Sequence, residues 1–142
     1  MTNAEAQQYL DDMVRERGYV LEYHKRLVAA DYEFARAAND IVDAAYLKPR
    51  RLDRKTKELI FIVSLTSMRA SKPHIQSHIK VALELGCTPE EILEAIEISM
   101  PEAGIVAFQE GFNAWAEVVG APALEPTVDV AGNRTSNDQR EE

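Results

Sequence analysis

Hydrophobic positions along the chain recur at three- and four-residue steps rather than at two, the period of helices that bury one face. Between residues 20 and 46 this spacing is held by Val20, Leu21, Leu27, Val28, Phe34, Ala35, Ala38, Ile41, Val42, Ala45 and Tyr46. Strand-type alternation is almost absent, whereas helix punctuation recurs. "TNAE" at 2–5 is a capping box, with Thr2 as N-cap and Glu5 three residues on, opening a helix that stops near Gly18. Asp31 offers a break within the 20–46 pattern. Asp53 is an N-cap for a helix to about Ala70, whose "LIFIVSL" is apolar all round and predicted to be buried on all sides. Ser71 caps the next helix, with Pro73 in its first turn and Gly86 where a left-handed terminal residue is wanted. "TPEE" at 88–91 is a second capping box, and a last helix is expected from about Pro101 to Gly120. Two or three helices at the front and four at the back predict an all-α domain of helical hairpins over residues 1–120. From Ala121 to 142 a flexible tail is expected: "GNRTSNDQREE" has no apolar residue larger than alanine and cannot offset the entropy of ordering.

Composition narrows the class. A chain of 142 residues, 46% apolar and 28% charged, is expected to form one soluble globular domain. Its longest apolar run is far short of the roughly 20 residues of a spanning helix, and no secretory signal is visible at the start, so the cytoplasm is the default location and no membrane contact is expected. Cys87 is the only cysteine, which excludes a disulfide or a dithiol redox cycle within one chain. A net charge of −8 argues against nucleic acid as a partner. The charge is uneven: "KPRRLDRKTK" at 48–57 carries six bases against Asp53, either a local attractor for a small anion or a solvated connector.

Candidate chemistry concentrates in "SKPHIQSH", residues 71–78, which holds two of the three histidines four residues apart on one helix face. His78 shares its stripe with Val81 and Leu85 and is expected to face the core or an interface, where an imidazole can both give and take a proton. His74 lies in the first turn, where the positive helix end disfavours imidazolium, and is expected to be neutral and exposed. On the preceding helix, Glu58, Ile62, Leu65 and Arg69 form one stripe. An acid beside an apolar run is a usual arrangement for a proton carrier; the simpler alternative is a surface pair of Glu58 with Arg54. As a zinc motif the histidine pair lacks the glutamate that follows the first histidine in zinc proteases, since Ile75 stands there; a distant acid such as Glu102 would be needed, and no metal is assigned.

The run from Leu52 to Phe108 resembles the carboxymuconolactone decarboxylase family, which includes the AhpD-like alkylhydroperoxidases. The resemblance is carried by "KEL" opening a buried helix, His78 in "HIKVALELG", and "TPEEILEAI" opening the next helix. It implies an AhpD-like bundle of about six to seven helices, assembled as a homotrimer or homohexamer with sites near subunit interfaces. The broad apolar faces of "VALEL", "ILEAIEISM" and "IVAF", with Phe112 and Trp115, agree with such assembly. The peroxidase branch has a Cys-x-x-Cys-x-x-x-His motif; laid on this chain, its histidine is His78 and its cysteines become Ser71 and His74. Thiol-based peroxide reduction is thereby excluded.

What remains resembles the decarboxylase side, which uses no cofactor. Loss of the carboxylate of γ-carboxymuconolactone leaves its electrons in an enolate, and protonation of the γ-carbon completes the reaction. By resemblance His78 is the acid/base, Glu58 matches the glutamate of the helix before it, and His74 is a third candidate catalytic group. Arg69, Lys72 and His74 are candidates to bind carboxylate or enolate, and Glu102 is a further substrate-side candidate. The segment "ISMPEAGIVAF" departs from the family, offering Met100, Glu102 and Gly104 where decarboxylases tend to carry a histidine and a tyrosine-glycine pair. The leading expectation is a cofactor-free decarboxylase or lactone-processing enzyme for a small organic anion. The alternatives are a metal-dependent enzyme using His74 and His78, or a noncatalytic binding protein of the same fold.

Overall fold

Helix punctuation acts as written. The Thr2 hydroxyl accepts the Glu5 N–H at 3.2 Å while the Glu5 carboxylate accepts the Thr2 N–H at 2.6 Å, and α1 (Asn3–Arg17) runs from that exchange to Gly18 at φ 90°. The structure, a computed structural model, describes residues 2–128 and 131–132. Asp31 does split the next pattern: α2 (Glu22–Ala30) ends before it, and its side chain accepts the Phe34 N–H at 3.0 Å to open α3 (Tyr32–Val42). α3 then widens into a π-helical turn, Asp43–Leu47, closed by a Lys48 N–H to Asp43 C=O bond of 3.0 Å. Asp53 caps α4 (Arg54–Ser67) through the Thr56 N–H at 2.7 Å. The remaining helices are α5 (Lys72–Glu84), α6 (Pro89–Glu97), α7 (Ser99–Ala103) and α8 (Ile105–Val119).

The chain is thus all-α, with eight α-helices among the described residues when the five-residue α7 is counted. α4 is the axis. It packs on α5, α6, α7 and α8, and Ile62, Ile75, Ile79, Ile92, Ile96 and Ala114 meet in a core sealed from solvent. Each such isoleucine contributes about 1.5–3 kcal/mol of burial free energy. The front helices form their own layer, α2 against α3 and α1, and meet the back layer along the π-turn and α4. Gly18 lets the two layers close: a Cβ built there would stand 2.8 Å from Val81 Cγ2 of α5. No helix is long and apolar enough to cross a membrane among the described residues.

Four expectations change. α4 ends at Ser67 rather than near Ala70, and Arg69 sits in the left-handed region at φ 53°, so the stripe from Glu58 to Leu65 does not reach it. Ile60 is half exposed, so within one chain α4 is not buried on all sides. The last helix starts at Ile105, not Pro101, because Gly104 adopts φ 83°, ψ 172°, a conformation that side chains disfavour, and divides α7 from α8. Ser71 occupies the cap position of α5 without a capping hydrogen bond from its side chain. Of the expected tail, residues 129, 130 and 133–142 lie outside the described residues.

Gly111 marks a close crossing of α8 on α4 and α6. A Cβ there would fall 2.5 Å from Thr66 Oγ1 and 3.0 Å from Ile96 Cγ2, with the buried α4 side chain unable to move aside freely. In an open helix, Gly→Ala stabilises by up to about 1 kcal/mol. Here the opposite sign is expected. Gly111→Ala should lower the unfolding free energy by about 1–3 kcal/mol in urea titration, the cost of overpacking.

Candidate active site

Two buried groups face each other across the α4–α5 contact. Glu58, in the second turn of α4, is fully sealed, and its Oε2 accepts from Nδ1 of the equally buried His78 at 2.7 Å. The other carboxylate oxygen accepts from Arg54 Nε at 2.9 Å, one turn earlier on α4, and from the Tyr46 hydroxyl. Each carboxylate oxygen therefore meets at least one donor, the condition for keeping it in an apolar core. With Nδ1 donating to Glu58, the neutral imidazole turns its Nε2 lone pair to the Tyr19 hydroxyl at 3.1 Å. Phe61 stacks on the ring, with centroids 4.8 Å apart and planes 10° from parallel, and removes its remaining rotational freedom.

Local backbone features deliver these partners. The π-turn carries Tyr46 to the carboxylate, and Arg54 locks it there by a 2.7 Å bond to its hydroxyl and a guanidinium 4.0 Å above its ring. Lys57 closes the same turn by donating to the carbonyls of Tyr46 and Lys48 at 3.1 and 3.0 Å. Burial, ahead of the nearby carboxylate, pushes the Tyr46 phenol far up. Burial likewise raises Tyr19 to about 12, so it is a proton donor rather than a phenolate near neutrality. Arg54, Lys57, Lys48 on Asp43 and Lys55 on Glu91 engage most of the basic segment in structural contacts, which favours its reading as a connector.

His78 and Tyr19 open onto a cavity of about 300 Å³ whose walls are mainly apolar, with Ile41, Val42, Phe61 and Leu65 prominent. That volume lies at the small end for ligand sites. His74 joins the wall, its ring centroid 5.5 Å from that of His78; burial and then His78 pull its pKa down, so it is neutral as expected but half-buried rather than exposed. The other candidates go elsewhere. Arg69 projects from beyond the end of α4 and is exposed. Lys72 pairs with Glu117 of α8 at 2.6 Å, and Glu102 is exposed on α7. The Glu58–Arg54 pair exists, yet it is buried and shares the carboxylate with His78. Cys87 is buried in the turn after α5 and burial pushes its thiol up, so it offers no reactive thiolate. Among the described residues no three His, Cys, Asp or Glu side chains gather as a metal site.

The front layer supplies what sequence reading missed. Arg17, at the end of α1, and Tyr19, just past Gly18, both line the cavity, although 59 residues separate Tyr19 from the histidine it touches. Periodicity carries no trace of such a contact; the one local hint was a tyrosine beside a helix-ending glycine.

The sequence profile of the carboxymuconolactone decarboxylase family matches residues 32–117, from the start of α3 to the last turn of α8. The chain belongs to that family. Comparison with curated proteins finds no match. In this carboxymuconolactone decarboxylase family member, Tyr46, Glu58, His74 and His78 fall within the matched span, while Arg17 and Tyr19 precede it. The family's helical back layer thus carries the buried acid–imidazole pair, and the front of this chain closes over it.

His24 of α2 anchors that front. Its Nδ1 accepts the Leu21 N–H at 3.0 Å, and burial, then the Arg17 charge, lowers its pKa from 6.5 to about 4. The unfolded chain therefore takes up this proton first as pH falls. Its contribution to stability is complete above pH 6.5 and is lost progressively down to about 4. Unfolding free energy measured by urea titration should decline across that window in wild type, and the decline should be shallower in His24→Gln.

Proposed function

We propose that the chain is a cofactor-free enzyme of lyase type that moves a proton on a small organic carboxylate, of the γ-carboxymuconolactone kind, with His78 as the acid/base. The observation that supports this reading is the position of His78: buried, oriented by Glu58 at Nδ1, and presenting Nε2 to Tyr19 at the wall of a mainly apolar cavity. In decarboxylation the bond from the lactone carbon to its carboxylate breaks, CO2 leaves, and the electron pair enters the enolate of the unsaturated ring. One proton must then reach the γ-carbon. His78, with Nε2 unprotonated at rest, takes that proton at Nε2 from water, is held as an imidazolium by the Glu58 carboxylate, and returns to the neutral form on giving the proton to the γ-carbon. The Tyr19 hydroxyl, protonated at working pH, lines the same cavity 3.1 Å from Nε2, where it donates to the developing enolate oxygen or passes the proton on. His74, neutral on the same wall, adds a polar contact without a charge that would compete for the carboxylate.

Self-association belongs to the same proposal. Ile60 on α4, Ile98 before α7 and Ile105 and Val106 at the start of α8 are each at least half exposed, an apolar surface that a homo-oligomer would cover.

The test is CO2 release and product mass from a panel of unsaturated lactone and dicarboxylate acids without added metal. Wild type should turn over at least one. His78→Gln should lower kcat by about 10²–10⁴, the usual worth of a positioned acid/base, and Tyr19→Phe should lower kcat more than it raises KM. A silent wild type, or full activity in His78→Gln, would sink the proposal.

A further inference from the structure

Arg17 is a buried cation without a counter-ion. Its side chain is 3% exposed and lines the cavity of His78 and Tyr19, and its guanidinium carbon stands 5.9 Å from the Tyr19 ring centroid. Among the described residues no carboxylate lies within ion-pair distance of it. Its side-chain contacts are the Asn39 amide oxygen and the His24 ring, whose Nε2 is 3.2 Å from Nη1. The His24 contact cannot accept a hydrogen. Nδ1 of that ring already accepts the Leu21 N–H, and at neutral pH the imidazole, with its pKa near 4, keeps its own proton on Nε2. Arg17 Nε has no acceptor either, although it is sealed from solvent. Of the guanidinium's donors, only the one directed at Asn39 meets an oxygen among the described residues.

A charge held this way is costly, since desolvation of a guanidinium is repaid only by an anion or by a full set of acceptors. Arg54, the other guanidinium near the cavity, has its charge matched by Glu58. Arg17 has none among the described residues, and of the two cavities it borders, about 50 and 300 Å³, the larger is the one that His78 and Tyr19 share.

We propose that Arg17 is the anion-binding residue of this cavity: the guanidinium receives a carboxylate of the ligand, while the apolar walls hold an unsaturated or aromatic body against His78. This rests on the reading of the cavity as the substrate site and gives the front layer a role there, since Arg17 lies outside the family-matched span. The anion contact thereby passes from Arg69 and Lys72, which do not reach the cavity, to a residue of α1.

Benzoate and benzamide separate charge recognition from shape. Calorimetric titration of the full chain should show benzoate binding at least tenfold more tightly than benzamide. Arg17→Gln should erase that preference and Arg17→Lys should retain part of it. Arg51→Gln, which removes a surface charge of the basic segment, should leave it unchanged. A wild type that binds both ligands equally or neither, or a folded Arg17→Gln that keeps the preference, would overturn the proposal. So would its loss in Arg51→Gln. If Arg17→Gln does not fold, Arg17→Lys decides by the benzoate-to-benzamide ratio, which a purely structural arginine would leave untouched. Benzoate is not turned over, so this result stands whichever way the turnover screen falls.

Discussion

The Glu58 carboxylate, sealed in the core, is the constraint around which the rest of the molecule is arranged. An ionised acid at zero exposure is tolerated only when its oxygens are met by strong donors, and three different parts of the chain supply them: the first turn of α4 gives Arg54, the π-turn gives Tyr46, and α5 gives His78. Removing one donor would leave the others holding an under-satisfied charge. The α4–α5 register, the irregular turn before α4 and the inward rotation of the histidine are therefore one solution to one electrostatic problem. The apolar core of α4, α5, α6 and α8 provides the rigidity in which that solution can be held.

Fixing the acid fixes the base. Because Glu58 takes the proton side of the imidazole, the opposite nitrogen can face only the front layer, where Tyr19 and the cavity lie. At the two positions of the segment before His78, Ser71 caps α5 without a side-chain hydrogen bond and His74 forms a neutral wall of the cavity. This backbone frame places a small, mainly apolar space beside the imidazole.

Local signals in the sequence were readable wherever the chemistry is local. Thr2, Asp31, Asp53 and Thr88 announce helix starts because each cap is satisfied within three residues, and Gly18, Gly86 and Gly120 announce ends because each takes positive φ. Glu58 and His78 could be picked out as candidates since each shares a helical stripe with apolar neighbours. Arg69 was misplaced for the converse reason: α4 ends on a non-glycine residue in the left-handed region, an ending that leaves no mark in the sequence. Lys72 looked like a ligand for anions but has a partner on α8, 45 residues away. Tyr19 and Arg17 were invisible because their roles arise only when the front layer folds over the back, and α7 appeared only because Gly104 interrupts a segment that otherwise reads as one helix.

The π-turn at Asp43–Leu47 has a bearing on how such a site can arise. A π-turn is what remains when a helix absorbs one residue more than its ladder has room for. Each added residue rotates everything beyond it by about 100°. Here that rotation aims Tyr46 inward at the acid, while the Lys57 ammonium gathers the carbonyls the wider turn leaves open. One residue fewer in this turn would swing Tyr46 away from the buried carboxylate without altering any other side chain of the site.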